Sequence, residues 1–256
     1  MIQLWLASSD WTIIGILILL FGASASLLHY LCFRTATREF VLSFSGVVAP
    51  FFVMAATIFA LTTALLGSSV WQNFRDSSQA VRNESQAIVM FIDLNQALPQ
   101  LQGYGLIKLV KNYTRAAVEI EWDSLKKGKK SKKADDELIA LLSTTILAAS
   151  TPGIPDAISR SLMKSVDAIV LARTARLSLI NSKTDPARWV CVILLALLTQ
   201  IGIIAVHLEK SRACALALFI TTITIVVALG LIALTDAPHS GVVAVSIEPL
   251  QQILRE

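Results

Sequence analysis

Few side chains in this sequence have the type and spacing needed for catalysis. Its three histidines, His29, His207 and His239, each stand alone. His29 and His207 lie near the ends of apolar stretches, so a proton-relay pair is one reading and interfacial packing is the commoner one. The chain contains no nucleophile motif, phosphate-binding loop or HExxH zinc motif. These residues predict no enzyme activity.

Three acidic residues alternate near the middle of the chain, namely Glu119, Glu121 and Asp123. A carboxylate pair could act as general acid and base, but helix positions two apart do not share a face. We therefore predict surface charges and a helix end at these positions.

The three cysteines also indicate no site chemistry. Cys32, Cys191 and Cys214 lie within or beside apolar stretches and form no CxxC pair or Cys/His cluster. They predict neither disulfides nor zinc binding, and we expect no metal and no cofactor. The net charge of +4 comes without a basic surface interleaved with aromatic residues, so we expect no nucleic-acid partner.

Four stretches without Asp, Glu, Lys or Arg dominate the chain: Trp11–Phe33, Val41–Phe74, Trp189–Leu208 and Ala213–Thr235. Each is long enough to cross a hydrocarbon core of ~30 Å. The segment Arg75–Arg188 between them is rich in charge. The pattern predicts an all-α membrane protein with four transmembrane helices. We expect helices 1 and 2 in residues 1–74, a water-facing domain in 75–187, and helices 3 and 4 with a tail in 188–256.

Sidedness follows from the number of spans. With four spans, both termini and the central domain share one side, and Trp11, Trp71 and Trp189 lie where an aromatic belt on that side would be. Basic residues near the membrane ends are more numerous there, which favours a cytoplasmic central domain. Nothing before Trp11 is positively charged, so the first stretch is expected to stay as a helix rather than act as a cleaved signal.

The second stretch has unusual length. Its 34 residues would run ~50 Å as a helix, well beyond the membrane. Pro50 lies near its start and lacks a backbone donor, so we expect a break or kink there. The part after Pro50 is expected to span the membrane and to continue past Trp71 into the central domain.

The central domain shows helical periodicity throughout. We predict helices over Gln72–Leu98, from Leu106 to about Trp122, over Asp135–Ala149 and over Pro155–Ile180. The lysine-rich segment Lys126–Lys133 is expected to be an exposed turn, with a patch for acidic lipids as the sharper alternative.

Several local motifs occur in a definite order around these spans. They are the Pro50-to-Trp71 helix followed by Ala80-Val81-Arg82-Asn83-Glu84, Glu121-Trp122 followed by Lys127-Gly128, Leu171–Leu177 with Trp189, and Leu234–Gly241. With these motifs in this order, the chain resembles the bacterial bestrophin-like domain family over nearly its whole length. The family usually has an aromatic residue where this chain has His239.

The resemblance implies a bestrophin fold, with four spanning helices per subunit and five subunits around an axis. It also implies an ion channel in the bacterial inner membrane whose second helix lines a narrow neck. Bestrophins proper pass anions, and cation selectivity, for example for potassium, stays open for a divergent relative. The alternative is a non-conducting membrane scaffold or sensor whose central domain binds a partner. The expected partners are the lipid bilayer, small inorganic ions and further copies of the chain.

If the second helix lines the neck, one of its faces must surround the axis. The candidates are Phe51, Phe52, Ala55, Ile58, Phe59, Thr62 and Thr63. The absence of charge in this span fits a hydrophobic constriction that gates by dewetting. Thr62 and Thr63 could present hydroxyls to an ion, although bonding to their own helix carbonyls is commoner.

Five charged residues are candidates for the vestibule or for structural pairing. Arg82 and Glu84 follow the second span, Arg173 and Arg176 lie three apart on one helix face, and Asp236 follows the fourth span. Pairing between helices is the favoured role for the first four. A carboxylate at a helix C-terminus is unfavourable without a donor, so we expect Asp236 to meet Arg173, Arg176 or Arg188, with free solvation as the alternative.

Overall fold

The computed structural model describes residues 10–34, 38–43, 49–126, 129–152, 154–179, 184–236 and 244–255. Every regular element within these ranges is helical. The helices are α1 (Asp10–Arg34), α2 (Arg38–Leu42), α3 (Ala49–Gln96), α4 (Leu106–Ala116), α5 (Trp122–Lys126), α6 (Lys132–Ala149), α7 (Asp156–Ser178), α8 (Pro186–Val206), α9 (Ser211–Thr235) and α10 (Glu248–Arg255). A 3-10 helix, Pro99–Tyr104, precedes α4, and a π-helical turn, Ala117–Glu121, joins α4 to α5.

Four of these helices, α1, α3, α8 and α9, are long and apolar enough to cross a membrane. Helix α3 begins at Ala49, so Pro50 lies in its first turn, where a missing backbone donor is tolerated. The helix then continues without interruption through Trp71 to Gln96. The expected extension of the second span beyond Trp71 is present, and residues 44–48 before Pro50 lie outside the description.

The chain divides into two compact units. In the first, which includes the described residues up to Gln72 and from 184 to 236, one face each of α1, α3, α8 and α9 packs into a shared core. The core residues are Ile13, Leu17, Phe21, Leu66, Val70, Trp189, Val192, Ala196, Ile225, Leu229, Ile232 and Ala233. Away from this core the spans expose leucine, isoleucine and valine, as helices in contact with lipid do.

A buried glutamine connects three of the spans. Gln200 on α8 donates from Nε2 to the carbonyl of Phe21 at 3.1 Å and to Thr222 Oγ1 at 3.0 Å. Its Oε1 accepts from Ser24 Oγ at 2.5 Å. Polar side chains that bond across helices stabilise packing in a bilayer, where water cannot replace these bonds. The sequence analysis did not identify this contact.

The second unit contains the described residues from Asn73 to 179 together with α10. Its core joins Ile88 and Phe91 of α3, Tyr113 of α4, Leu141 of α6 and Ile169 of α7. Helix α10 was not predicted. Its Leu250 and Ile253 enter this core, and Ser85 Oγ donates to the carbonyl of Pro249 at 3.0 Å. The helices predicted in this segment are present with small shifts in their ends.

Candidate functional site: the second span and a buried charge cluster

One face of α3 packs inside the first unit. Leu66 and Val70 are buried in its core, and Phe59 packs against them. Phe52 approaches Gly202 of α8 so closely that a Cβ built at Gly202 would lie 3.1 Å from Phe52 Cδ2. Any larger residue at 202 would require the Phe52 ring to shift by a few tenths of an ångström. Phe52 and Phe59, two of the neck candidates, are in packing positions.

The other neck candidates are distributed around the helix. Ile58 is exposed and Ala55 is half-buried. Thr62 donates to the carbonyl of Ile58 at 2.7 Å, the commoner of the two roles expected of it. Thr63 Oγ1 is buried and has no hydrogen-bond partner among the described residues. The side chain of Phe51 lies outside the described residues.

The opposite face of α3 is exposed and was missed by the sequence analysis. Thr57, Leu61, Ala64 and Ser68 are all exposed, and helical geometry puts them within about 60° of one another. Their spacing of four, three and four residues is that of a single helix face. The detectable signal was the helical spacing of Thr57, Ala64 and Ser68, which are small or hydroxyl residues. The predicted neck residues instead included three phenylalanines.

A buried cluster of charge lies in the second unit, centred on Arg176 of α7. Arg176 Nε donates to Glu84 Oε2 at 2.6 Å, and Nη2 donates to Glu84 Oε1 at 3.1 Å and to Glu121 Oε2 at 2.8 Å. Arg176, Glu84 and Glu121 all have no exposed surface. The pairing role expected of Glu84 and Arg176 is thus the one observed.

Arg173 extends the cluster toward the surface. It binds Glu121 through Nε at 3.2 Å and through Nη2 at 2.5 Å. Nη2 also contacts Asp135 Oδ1 at 2.6 Å, and the Asp135 side chain is partly exposed. Asp135 also lies in the first turn of α6, where a negative charge is favourable. Tyr113 Oη completes the group by donating to Glu84 Oε1 at 2.5 Å.

The environment shifts the pKa values of the cluster in directions that keep this pattern intact. Burial, followed by the charge of Glu84, raises the pKa of Tyr113 well above its usual value, so the hydroxyl keeps its proton. Burial alone would lower the pKa of Arg176, but the charge and hydrogen bonds of Glu84 outweigh it and the net pKa shift is upward. Arg173 behaves in the same way toward Glu121. Both guanidinium groups therefore stay charged.

A local departure from α-helical geometry brings Glu121 into the cluster. In an α-helix, eight residues rotate a side chain by about 800°, so Glu121 would lie roughly 80° from Tyr113. The π-turn contains one extra residue, as the bond from Trp122 N to Ala117 O shows, and rotates later side chains back by about 100°. Glu121 consequently faces the core, and its predicted surface position was wrong. Glu119 and Asp123 are exposed, as predicted.

Each buried charge of the cluster has an opposite charge beside it. Arg173 and Arg176 oppose Glu84 and Glu121, with Asp135 at the partly exposed end. A buried pair is costly to break because the remaining charge lacks compensation. Arg82, the remaining charge candidate on α3, is exposed, and its Nη2 donates to Gln79 Oε1 at 2.9 Å.

Asp236 is held by buried donors. It is buried at 6% exposure, so the freely solvated alternative is wrong. Its Oδ1 accepts from the hydroxyl of Thr184, and its Oδ2 accepts from Trp189 Nε1 at 3.1 Å. Trp189 is thus a buried donor rather than an exposed interfacial anchor. Two of the three arginines expected at Asp236, Arg173 and Arg176, bind Glu84 and Glu121 instead. Residues 237–241 of this motif, with His239, lie outside the described part of the chain.

The remaining sequence candidates have separate surroundings. His29 Nε2 is 3.1 Å from Ser211 Oγ, while His207 Nδ1 is 2.9 Å from the carbonyl of Ile203, which fits packing. Within the described residues, no three His, Cys, Asp or Glu side chains are grouped as metal ligands. Lys129 and Lys130 are exposed, and residues 127–128 of the lysine-rich segment lie outside the description.

Comparison with known families identifies the fold. The bestrophin-like domain matches residues 19–250, nearly the whole chain. This protein belongs to the bestrophin-like family. A comparison with curated protein sequences finds no match.

Solved bestrophin homologues share this architecture at low sequence identity. One single-residue variant of a bacterial bestrophin homologue from Klebsiella pneumoniae is 11% identical, with a TM-score of 0.74 over 94% of this chain and 98% of that chain. A second variant is 13% identical, with a TM-score of 0.70 over 97% and 96%. This bestrophin-like chain therefore has the bestrophin fold.

Proposed function

We propose that this chain is one subunit of a homopentameric ion channel in the bacterial inner membrane, with the central unit in the cytoplasm. Membership of the bestrophin-like family supports the proposal, because the resemblance implies channels with a pore lined by the second span. The exposed face of α3 is the structural observation that supports a pore along this helix. The other candidate chemistry, the charge cluster, is internally paired and serves the fold.

The pore is assigned to the face of α3 that contains Thr57, Leu61, Ala64 and Ser68. The opposite face is already used for packing by Phe59 and Leu66. Side chains on the flanks, such as Val53 and Leu65, are exposed in the single chain and would pack against neighbouring copies. This assignment replaces Phe52 and Phe59 as pore-lining residues and keeps Ile58 as a flanking one.

The chemistry of this face suits a narrow, uncharged neck. Five copies of Leu61, which is 62% exposed, would form an apolar ring of the kind that gates by dewetting. Thr57 bonds its own helix by donating to Val53 O at 2.7 Å. Residues 49–74 contain no Asp, Glu, Lys or Arg, so charge selectivity would come from residues outside this span, for example from exposed Arg82. By family resemblance the permeant ion is an anion, with a cation as the second candidate.

The test is conduction by the purified protein in planar bilayers, with reversal potentials measured in asymmetric salt. Leu61→Ala should raise single-channel conductance or open probability, because it widens the apolar ring. Leu194→Ala is the matched control, since Leu194 is 55% exposed on α8. It should leave currents unchanged.

Two results would overturn the proposal. Equal currents in both variants would place the pore elsewhere. Silent bilayers from intact oligomers would favour the non-conducting scaffold or sensor.

A further inference from the structure

A groove between α1 and α9 is not used by the proposed pore. Its volume is about 500 Å³, within the range of small-molecule sites. It is lined by Gly22, Ala25, Ser26, His29, Tyr30, Arg34, Ala215, Leu218, Phe219 and Thr222. Small residues make the space: a Cβ at Gly22 would meet no atom within 4 Å. All lining residues belong to the first unit.

The groove changes in character along its length. At one end Gly22, Leu218 and Phe219 provide an apolar wall, and the hydroxyl of Thr222 is occupied by Gln200. At the other end are His29, Tyr30 and Arg34. Gly22 and Arg34 are twelve residues apart, which corresponds to about 18 Å along α1. That length is similar to half a bilayer, from the hydrocarbon interior to the interface.

The polar end favours negative charge. Arg34 supplies a cation there, at the last turn of α1. The contact between His29 and Ser211 places this end beside the start of α9, where Lys210 makes no side-chain cap. The first backbone N–H groups of a helix add partial positive charge. The neighbouring residues Arg38, Lys210 and Arg212 outnumber the acidic Glu39 and Glu209.

We propose that this groove binds an anionic phospholipid. The headgroup phosphate contacts Arg34 and His29, and one acyl chain lies along Gly22, Ala25 and Phe219. The lipid belongs to the leaflet on the side of the loops between paired spans, which is the outer leaflet in the orientation proposed above. The inference depends on membrane insertion and not on ion conduction.

Lipid binding to the full-length, detergent-solubilised oligomer is measured by native mass spectrometry. Phosphatidylglycerol is the probe, with phosphatidylcholine of the same chains for comparison. Arg34→Gln should weaken phosphatidylglycerol binding about fivefold, the effect of one basic residue near a membrane surface. Arg115→Gln, at an exposed position on α4 in the second unit, is the matched control and should leave it unchanged. Gly22→Leu should weaken both lipids by filling the apolar end.

The outcomes are distinct from those of the channel test. Equal phosphatidylglycerol affinity in Arg34→Gln and Arg115→Gln would overturn the assignment of the headgroup. Unchanged binding of both lipids by Gly22→Leu would overturn the assignment of the acyl chain. Dissociation of the Gly22→Leu oligomer, with lipid binding retained, would show that a second copy of the chain covers the groove and would overturn the proposal.

Discussion

Replacement of Glu121 by glutamine tests the role of the buried charge cluster most directly. Glu121 has no exposed surface and accepts three hydrogen bonds, two from Arg173 and one from Arg176. Glutamine keeps the shape but turns one acceptor oxygen into a donor that faces an arginine. It also removes the buried carboxylate that Arg173 and Arg176 share.

The size of the effect follows from these two losses. An unsatisfied buried donor costs about 1–3 kcal/mol. Removing one partner of a buried ion pair costs about 3–5 kcal/mol in total. Asp135 still pairs with Arg173, and Glu84 still pairs with Arg176. We therefore expect a loss of about 3 kcal/mol, or roughly 6–12 °C in Tm for a chain of this size.

The assay is thermal unfolding of the solubilised protein, followed by circular dichroism. Glu119→Gln is the matched control, because Glu119 lies in the same π-turn and is exposed. Its Tm should stay within about 1 °C of the parent, since exposed charges contribute little. Combining Glu121→Gln with Arg176→Gln should give a smaller loss than the sum of the single losses, by at least about 1 kcal/mol. An equal Tm for the Glu121 and Glu119 variants would refute the buried-pair argument.

Two further substitutions test neighbouring polar contacts. The pKa of Tyr113 is raised in the folded protein, so just above pH 10 only the unfolded chain loses the proton of this hydroxyl. The free energy of unfolding therefore falls by up to about 1.4 kcal/mol per pH unit. Tyr113→Phe should remove this dependence of the free energy of unfolding on pH between pH 10 and 11. If the free energy of unfolding falls equally steeply with pH in the parent and the variant, the stated pKa direction is contradicted. Asp236→Asn should lower Tm by several degrees, because one of the donors Thr184 and Trp189 then faces an amide N–H2. Asp93→Asn, at an exposed position, is its control, and equal Tm values would show that the Asp236 charge is dispensable.

Much of the architecture was predictable from the sequence. Four uninterrupted apolar stretches of sufficient length predict membrane spans. The spans are expected to be helical because a bilayer accepts only segments that satisfy their own backbone bonds. The continuation of α3 past Trp71 followed from a stretch that is too long for the membrane alone. The packing faces of the central helices followed from 3.6-residue periodicity, and Glu84 lies on the same face as Val81 and Ile88. A charge on such an apolar face was the available sign of a buried partner.

Other features were decided only by tertiary structure. Glu121 enters the core through a π-turn, which shifts helical phase by one residue and has no signature in hydrophobic periodicity. Which face of α3 packs within the chain depends on contacts such as Phe52 with Gly202, more than a hundred residues apart in sequence. Asp236 accepts from Thr184 and Trp189, while Arg173 and Arg176, two of its three expected partners, bind Glu84 and Glu121. Charge alone indicates that a buried carboxylate needs a donor, and only the folded chain determines which donor reaches it.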